Sequence, residues 1–401
     1  MLWGEVQAMK NLERSHHDWE NFNVGIKEQY AAKFIFFVSG FGFSTWAPMI
    51  PIVKENLQIG SDIIGLLILC IGVSSFLVMP IAGLFAQKFG CKQVLRCMGY
   101  AMGAEIIVLS MLPSVWLYAV FLAILGIIGG CINVNMNIHA VIVEKASKKR
   151  IMSGVHAFWS IGCFAGAGLF SIFAKLGLNM PIIGIIHGCI IFIIVAIISR
   201  YFLPYKGASN EKAFALPKGI VILFGILAVT SFLGEGGMMD WSGVFLTEAK
   251  AVDLSLAGTG FAVFSAAMLI GRLSGDKVVQ KLGEQRVVIG GGLLASCGYI
   301  LAVTVDNFYF VQIGFILLGL GAANIVPVVY TLLGRQKVMP INAGVTAVTS
   351  MGYLGVMFGP AILGFIAHAI GIVSVFCILA GLFAIQACVA TYVFKILGKT
   401  K

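Results

Sequence analysis

Apolar runs of about 20 residues recur from residue 31 to residue 395, separated by short polar or glycine-bearing breaks. At about 1.5 Å per helical residue, each can cross the ~30 Å hydrocarbon core of a bilayer. None alternates polar and apolar residues as a strand would. Helices satisfy their own backbone hydrogen bonds in lipid, so the runs are read as transmembrane helices. Twelve are predicted: 31–53, 62–86, 93–112, 115–143, 152–176, 181–203, 219–246, 255–277, 286–305, 308–333, 342–367 and 370–395. The polar stretches divide the chain into a cytosolic leader (1–28), a first six-helix bundle (29–203), a cytosolic linker (204–218), a second six-helix bundle (219–396) and a cytosolic tail (397–401).

The two sets of six share one plan. Shifted by 193 residues, Gly65 meets Gly258, Gln87-Lys88 meets Gln280-Lys281, Gly90 meets Gly283 and Leu125-Gly126 meets Leu318-Gly319. Trp46 meets Trp241 at a shift of 195, and IMSGVHAFWSIG (151–162) meets INAGVTAVTSMG (341–352) at 190. Six spans separate the copies, so both insert in the same direction. The pattern predicts an all-α integral membrane protein built as two pseudo-symmetric bundles, with a substrate site near the midplane.

Composition agrees. The chain is 59% hydrophobic and 11% charged, against ~25% charged in soluble domains. The net charge of +10 would suit nucleic acid, but its placement argues for a membrane. With the N-terminus inside, only Lys54, Lys175 and Lys250 of the 27 Lys and Arg fall outside. That positive-inside pattern sets both termini in the cytoplasm and excludes nucleic acid as partner. Residues 1–28 lack the apolar core of a signal peptide. The nine cysteines form no CxxC pair and fill space rather than bind metal. No HExxH, G-x-S-x-G or nucleotide loop is present, so neither enzyme activity nor a cofactor is expected.

Certain motifs carry a resemblance. GLFAQKFGCKQV (83–94) looks like the G-x-L-a-D-r-x-G-r-r loop of the major facilitator superfamily, and DKVVQKLGEQRV (276–287) is its second copy. The usual Asp is Gln87 here. A closer resemblance, to bacterial inner-membrane facilitators related to fucose permeases, rests on TWAPMIP (45–51), MNIHAVIVE (136–144), SGVHAFWSIG (153–162) and GEGGMMDW (234–241). That group has Arg where this chain has Met49, and often an acid where it has Asn133. The resemblance implies the major facilitator fold, alternating access, a monomer in the bacterial inner membrane, and a cavity lined by the first, fourth, seventh and tenth helices. It also implies a gating role for Gly83, Lys88 and Gly90.

The residues themselves nominate a site. In the fifth span His156, Trp159, Ser160 and Cys163 share one face, and the eleventh span repeats it as Thr346, Thr349, Ser350 and Tyr353. Such a face is either a substrate wall or a set of interhelical hydrogen bonds. Asn133 and Asn137 in the fourth span, and Asn324 in the tenth, offer amides for a polar cargo or for packing. Trp46 and Trp241 read as stacking platforms or as an interfacial belt. Glu235 lies about 22 Å along the seventh span and Asp240 about 30 Å. Glu235 is read as a proton carrier, or as held by a fixed hydrogen bond or in a pair with His156, and Asp240 as a gate or second proton site. The glycines around them are expected to let the helix bend or unwind. Glu105 is expected to pair structurally, and Arg272 to snorkel near the inner end of its span or to pair with Asp276. Proton symport of a small polar, largely uncharged, sugar-like solute is the leading expectation. Proton antiport of drugs or metabolites is the alternative; the resemblance disfavours it, because drug exporters of that superfamily often carry a Gly-Pro pair in the fifth helix, whereas here the fifth has no proline and Gly359-Pro360 sits in the eleventh.

Overall fold

The computed structural model describes residues 22–59, 61–206, 216–253, 256 and 259–399. Most of the predicted leader, the middle of the linker and the last two residues lie outside the described residues. Among the described residues there is no strand. The helices are α1 (Ile26–Leu57), α2 (Ser61–Phe89), α3 (Cys91–Leu109), α4 (Val115–Ser147), α5 (Met152–Lys175) and α6 (Met180–Ile198, extended by a 3-10 turn). Then follow α7 (Ile220–Val244), α8 (Thr259–Leu282), α9 (Glu284–Thr304), α10 (Phe308–Ala322), α11 (Ile325–Leu333), α12 (Ile341–Ile370) and α13 (Ile372–Lys399).

These helices correspond to the twelve predicted spans, with the tenth broken into α10 and α11 at Ala323–Asn324. Pro327 is the cause: it has no N–H to give the Ala323 carbonyl, and a proline sits well in the first turn of a new helix. Among the described residues, nine of the rods are long and apolar enough to cross a membrane on those criteria alone. The others, α1, α3 and α8, carry more charge, including Lys27, Lys33, Lys54, Lys92, Arg96, Arg272, Asp276 and Lys281. Gly90 and Gly283 turn the corners into α3 and α9 with φ of +84° and +83°, a conformation open to glycine, so the repeat is also a repeat of backbone shape.

The helices cluster as two compact units: Met1–Ile151, Val155–Leu216 and Met339–Thr346, and Met152–Gly154, Pro217–Val338 and Ala347–Lys401. In the first, Ser75 Oγ donates to the Gly126 carbonyl at 2.8 Å and Asn135 Nδ2 to the Ala82 carbonyl at 3.1 Å, locking α4 to α2. In the second, Asn324 Nδ2 donates to the Gly271 carbonyl at 2.9 Å. Donor and acceptor both shift by 189 residues, so the repeat mate of Asn324 is Asn135. Asn135→Ala and Asn324→Ala should therefore cost similar stability, about 0.6–2 kcal/mol each by the measured range for membrane hydrogen bonds. Paired thermal melts in detergent check this; one large and one negligible loss would contradict the equivalence.

Candidate functional site

The stretch GEGGMMDW stays α-helical. A Cβ on Gly234 would meet the Phe383 ring, and one on Gly237 would meet Leu379, both on α13. The glycines therefore seat α7 against α13 and do not unwind it. The helix changes character only later, in a π turn over Phe245–Ala249.

Glu235 and Arg272 come together here. Arg272 Nη2 donates to Glu235 Oε2 at 3.3 Å, with side-chain exposures of 6% for the arginine and 27% for the acid. Arg272 lies thirteen residues after Thr259 and ten before Leu282, so it is mid-helix and buried and does not snorkel from an end. Glu235 is likewise well inside α7. The contact is longer than the 2.7–2.9 Å of a strong charge-assisted hydrogen bond. Its members are opposite charges well inside adjacent membrane helices, where ionisable groups mark function by default.

Asp240 is exposed, and Trp241 is half-buried with its ring against Gly364 of α12. Tyr330 of α11 and Thr349 of α12 share a buried hydroxyl–hydroxyl hydrogen bond of 2.8 Å, and Tyr353 is half-buried one turn on. Asn324 is buried, its amide nitrogen occupied by Gly271 as described.

In the first unit Trp46 is 5% exposed, with its ring 5.8 Å from Tyr118. That burial does not fit an interfacial belt. Asn137 is 2% exposed and donates to the Asn133 carbonyl at 2.8 Å and to Asn133 Oδ1 at 3.2 Å, while its own Oδ1 has no protein partner. His156 meets the Phe36 ring edge-on at 5.2 Å, and Ser160 Oγ donates to the His156 carbonyl at 3.5 Å. The backbone at Trp159 and Cys163 abuts Gly40 of α1, so part of the α5 face packs against α1. The Thr346 hydroxyl is buried without a partner and presses on Gly83 of α2, which has no room for a larger residue. Lys88 is exposed.

Two groups escaped the sequence reading. His187 of α6 is fully buried, with Nδ1 3.0 Å from Thr45 Oγ1. The Thr45 hydroxyl donates its proton to the Phe41 carbonyl at 2.7 Å, so His187 carries its proton on Nδ1 and donates. Its Nε2 is left without a partner beside the rings of Phe41, Phe170 and Phe173, at 4.8, 6.0 and 6.2 Å. The other is the pairing of Glu235 with Arg272; the available signal was an acid deep in one span and a base in the next. Glu105 is buried with Oε1 unpartnered, so its expected structural pairing is not made at that oxygen.

Two helical units embedded in lipid, with a paired acid and base inside one and amides and hydroxyls inside both, have the makings of a membrane carrier. The chain matches the family model of the Major Facilitator Superfamily over residues 34–333 and, in a second overlapping match, 224–400. It is 40% identical over 346 residues to an uncharacterised MFS-type transporter of Yersinia pestis, covering 86% of this chain and 90% of that protein. The chain belongs to the Major Facilitator Superfamily, and it is a multi-pass membrane transporter. Its fold matches that of the human organic anion transporter MFSD10 (TM-score 0.74, 15% identity, 91% of this chain and 99% of that one). It also matches a variant of the Escherichia coli fucose:proton symporter FucP (TM-score 0.71, 14% identity, 92% and 99%).

Proposed function

We propose that this transporter is a secondary active, proton-coupled carrier that moves a small polar solute by alternating access. It works in the bacterial inner membrane with both termini in the cytoplasm. The observation that carries the reading is the Glu235–Arg272 pair, a carboxylate with partial access to solvent and a buried guanidinium, each well inside its helix. Ionised, Glu235 is held by the arginine. Protonated, it is neutral and lets go, so the loading of one proton changes the charge and the hydrogen bonding at one point in the protein. Asp240, exposed on the same helix, is the second proton site or gate. In the first unit the amides of Asn133 and Asn137, with Trp46, His156, Trp159 and Ser160, offer polar and aromatic contacts to a solute; in the second unit Trp241, Tyr330, Thr349 and Tyr353 offer the same kinds of group.

The test uses purified protein in proteoliposomes with an imposed proton gradient. A transported solute accumulates above its equilibrium level, and a protonophore collapses the accumulation. Equilibration that ignores the gradient would remove proton coupling.

A further inference from the structure

Cations gather on the first unit where α1 and α3 begin and α6 ends. Lys92, in the first turn of α3, reaches the 3-10 turn that closes α6: its Nζ donates to the Arg200 carbonyl at 3.1 Å. Lys27 of α1 lies over the Tyr201 ring, 5.5 Å from its centre. The chain then passes the start of α3, where the Cys91 N–H donates to the Tyr205 carbonyl at 2.9 Å and a Cβ on Gly90 would meet the Lys206 stem. Arg96 stands one turn along α3 from Lys92 and donates to Gln93 Oε1 at 2.8 Å. Lys27, Arg96, Arg200 and Lys206 are exposed and Lys92 is half-buried. Among the described residues no carboxylate pairs with any of these five.

The orientation of a membrane protein calls for basic residues at one end, but not for their convergence or for their going unpaired. The second unit shows the difference. At the shift of 193, Lys92 and Arg96 meet Gln285 and Ile289, and Gln93 meets Arg286. Cys91 meets Glu284, which pairs with Arg335 at 2.9 Å. The same corner is built once around unanswered cations and once around an ion pair and a single arginine. Beyond the cations of the first unit the surface turns apolar. Gly99 seats α3 on Val195 and Gly103 seats it on Phe192. Beside that seam the Tyr100 ring lies 6.0 Å from the Phe192 ring, and Ile193 and Ile197 of α6 are exposed. Lys92, Arg96 and Tyr100 follow one another at four-residue intervals, so one face of α3 carries both the charges and the start of the apolar strip.

We propose that this corner is a binding site for an anionic phospholipid, with its phosphodiester held by Lys92, Arg96 and Arg200 and its acyl chains lying along Tyr100, Phe192, Ile193 and Ile197. The occupant needs a negative head and apolar tails, because the site offers charge at one end and hydrocarbon along the rest. Ammonium and guanidinium groups only donate hydrogen bonds, and the oxygens of an ionised phosphodiester only accept them, so the two match in hydrogen bonding as well as in charge. Basic residues close to the membrane surface draw anionic lipids, and basic pockets between helices hold their headgroups. A headgroup seated here bridges α3, the end of α6 and the first residues of the segment that leads away from the first unit.

The experiment titrates the delipidated full-length chain, in a neutral detergent, with phosphatidylglycerol, with phosphatidylcholine and with inorganic phosphate. Thermal stabilisation is read for all three, and bound lipid by native mass spectrometry for the first two. Phosphatidylglycerol should bind about tenfold or more tighter than phosphatidylcholine, from the attraction of several basic residues for one anionic head. Its advantage should shrink as salt is raised from about 0.05 to about 0.5 M. Lys92→Gln combined with Arg96→Gln should weaken phosphatidylglycerol roughly thirtyfold, from about fivefold per basic residue. Lys277→Gln combined with Lys337→Gln removes the same charge from exposed lysines of the second unit and should leave its binding unchanged. Equal binding of the two lipids, an unaltered affinity in the Lys92/Arg96 variant, or the same loss in both double variants would overturn the site. Stabilisation by inorganic phosphate equal to that by phosphatidylglycerol would overturn the lipid assignment and leave a simple anion site in its place.

Discussion

Glu235→Gln should abolish gradient-driven accumulation and leave solute exchange intact. Glutamine keeps the size of the side chain, and its carbonyl can still accept from Arg272, but it cannot take up or release a proton. A pH difference of one unit is worth about 1.4 kcal/mol per proton, and so supports up to about tenfold accumulation with one proton per solute. In the variant that ratio falls to about one, while counterflow of labelled against unlabelled solute continues because the loaded form needs no titration. The substitution also leaves a fixed positive charge on a 6% exposed arginine. Taking the charge off the acid weakens its hold on that arginine, so a lowered melting temperature is expected alongside. Undiminished uphill transport by the variant would take Glu235 out of the mechanism.

The second large effect concerns the seam between α1 and α5. A Cβ at Gly40 would strike the Trp159 carbonyl, one at Gly162 the Phe37 carbonyl, and one at Gly166 the Phe41 carbonyl. The second unit repeats the device, with Gly355 against the Val229 carbonyl and Gly352 against the Phe232 ring. Backbone atoms cannot rotate away as side chains can. Gly162→Val therefore forces two helices apart, an overpacking cost of about 1–3 kcal/mol or more, and small residues at such crossings are what hold membrane helices close. The expected result is a collapse in monodisperse yield by size-exclusion chromatography. Gly168→Val, at a position with nothing within 4 Å, is the control and should leave yield unchanged. Equal yields from the two variants would show that the seam is looser than its geometry.

The span pattern was legible because lipid imposes it: each crossing needs its own apolar run, and the runs are separated by charge. What depends on rotation about a helix axis, or on a shift of a few residues, was not. The eighth span, read as 255–277, runs Thr259–Leu282, and that shift moves Arg272 from near an end to the middle and onto Glu235. Asn324 was grouped with Asn133 and Asn137, yet the hydrogen bond to Gly271 aligns it with Asn135. The glycines around Glu235 look like hinges in a sequence, because nothing in it reveals Phe383 and Leu379 filling the space beside them. His187 sits in MPIIGIIHGCII, where one polar residue barely disturbs an apolar run; its bond to Thr45 joins residues 142 apart.

The claim on which the rest depends is that the carboxylate beside Arg272 binds a proton and lets it go. Infrared difference spectroscopy on the purified protein, acidified in steps, follows this without any cargo. A carboxylic-acid C=O band should grow in the wild type and be missing from Glu235→Gln. The same band, at the same intensity, in both proteins would contradict it.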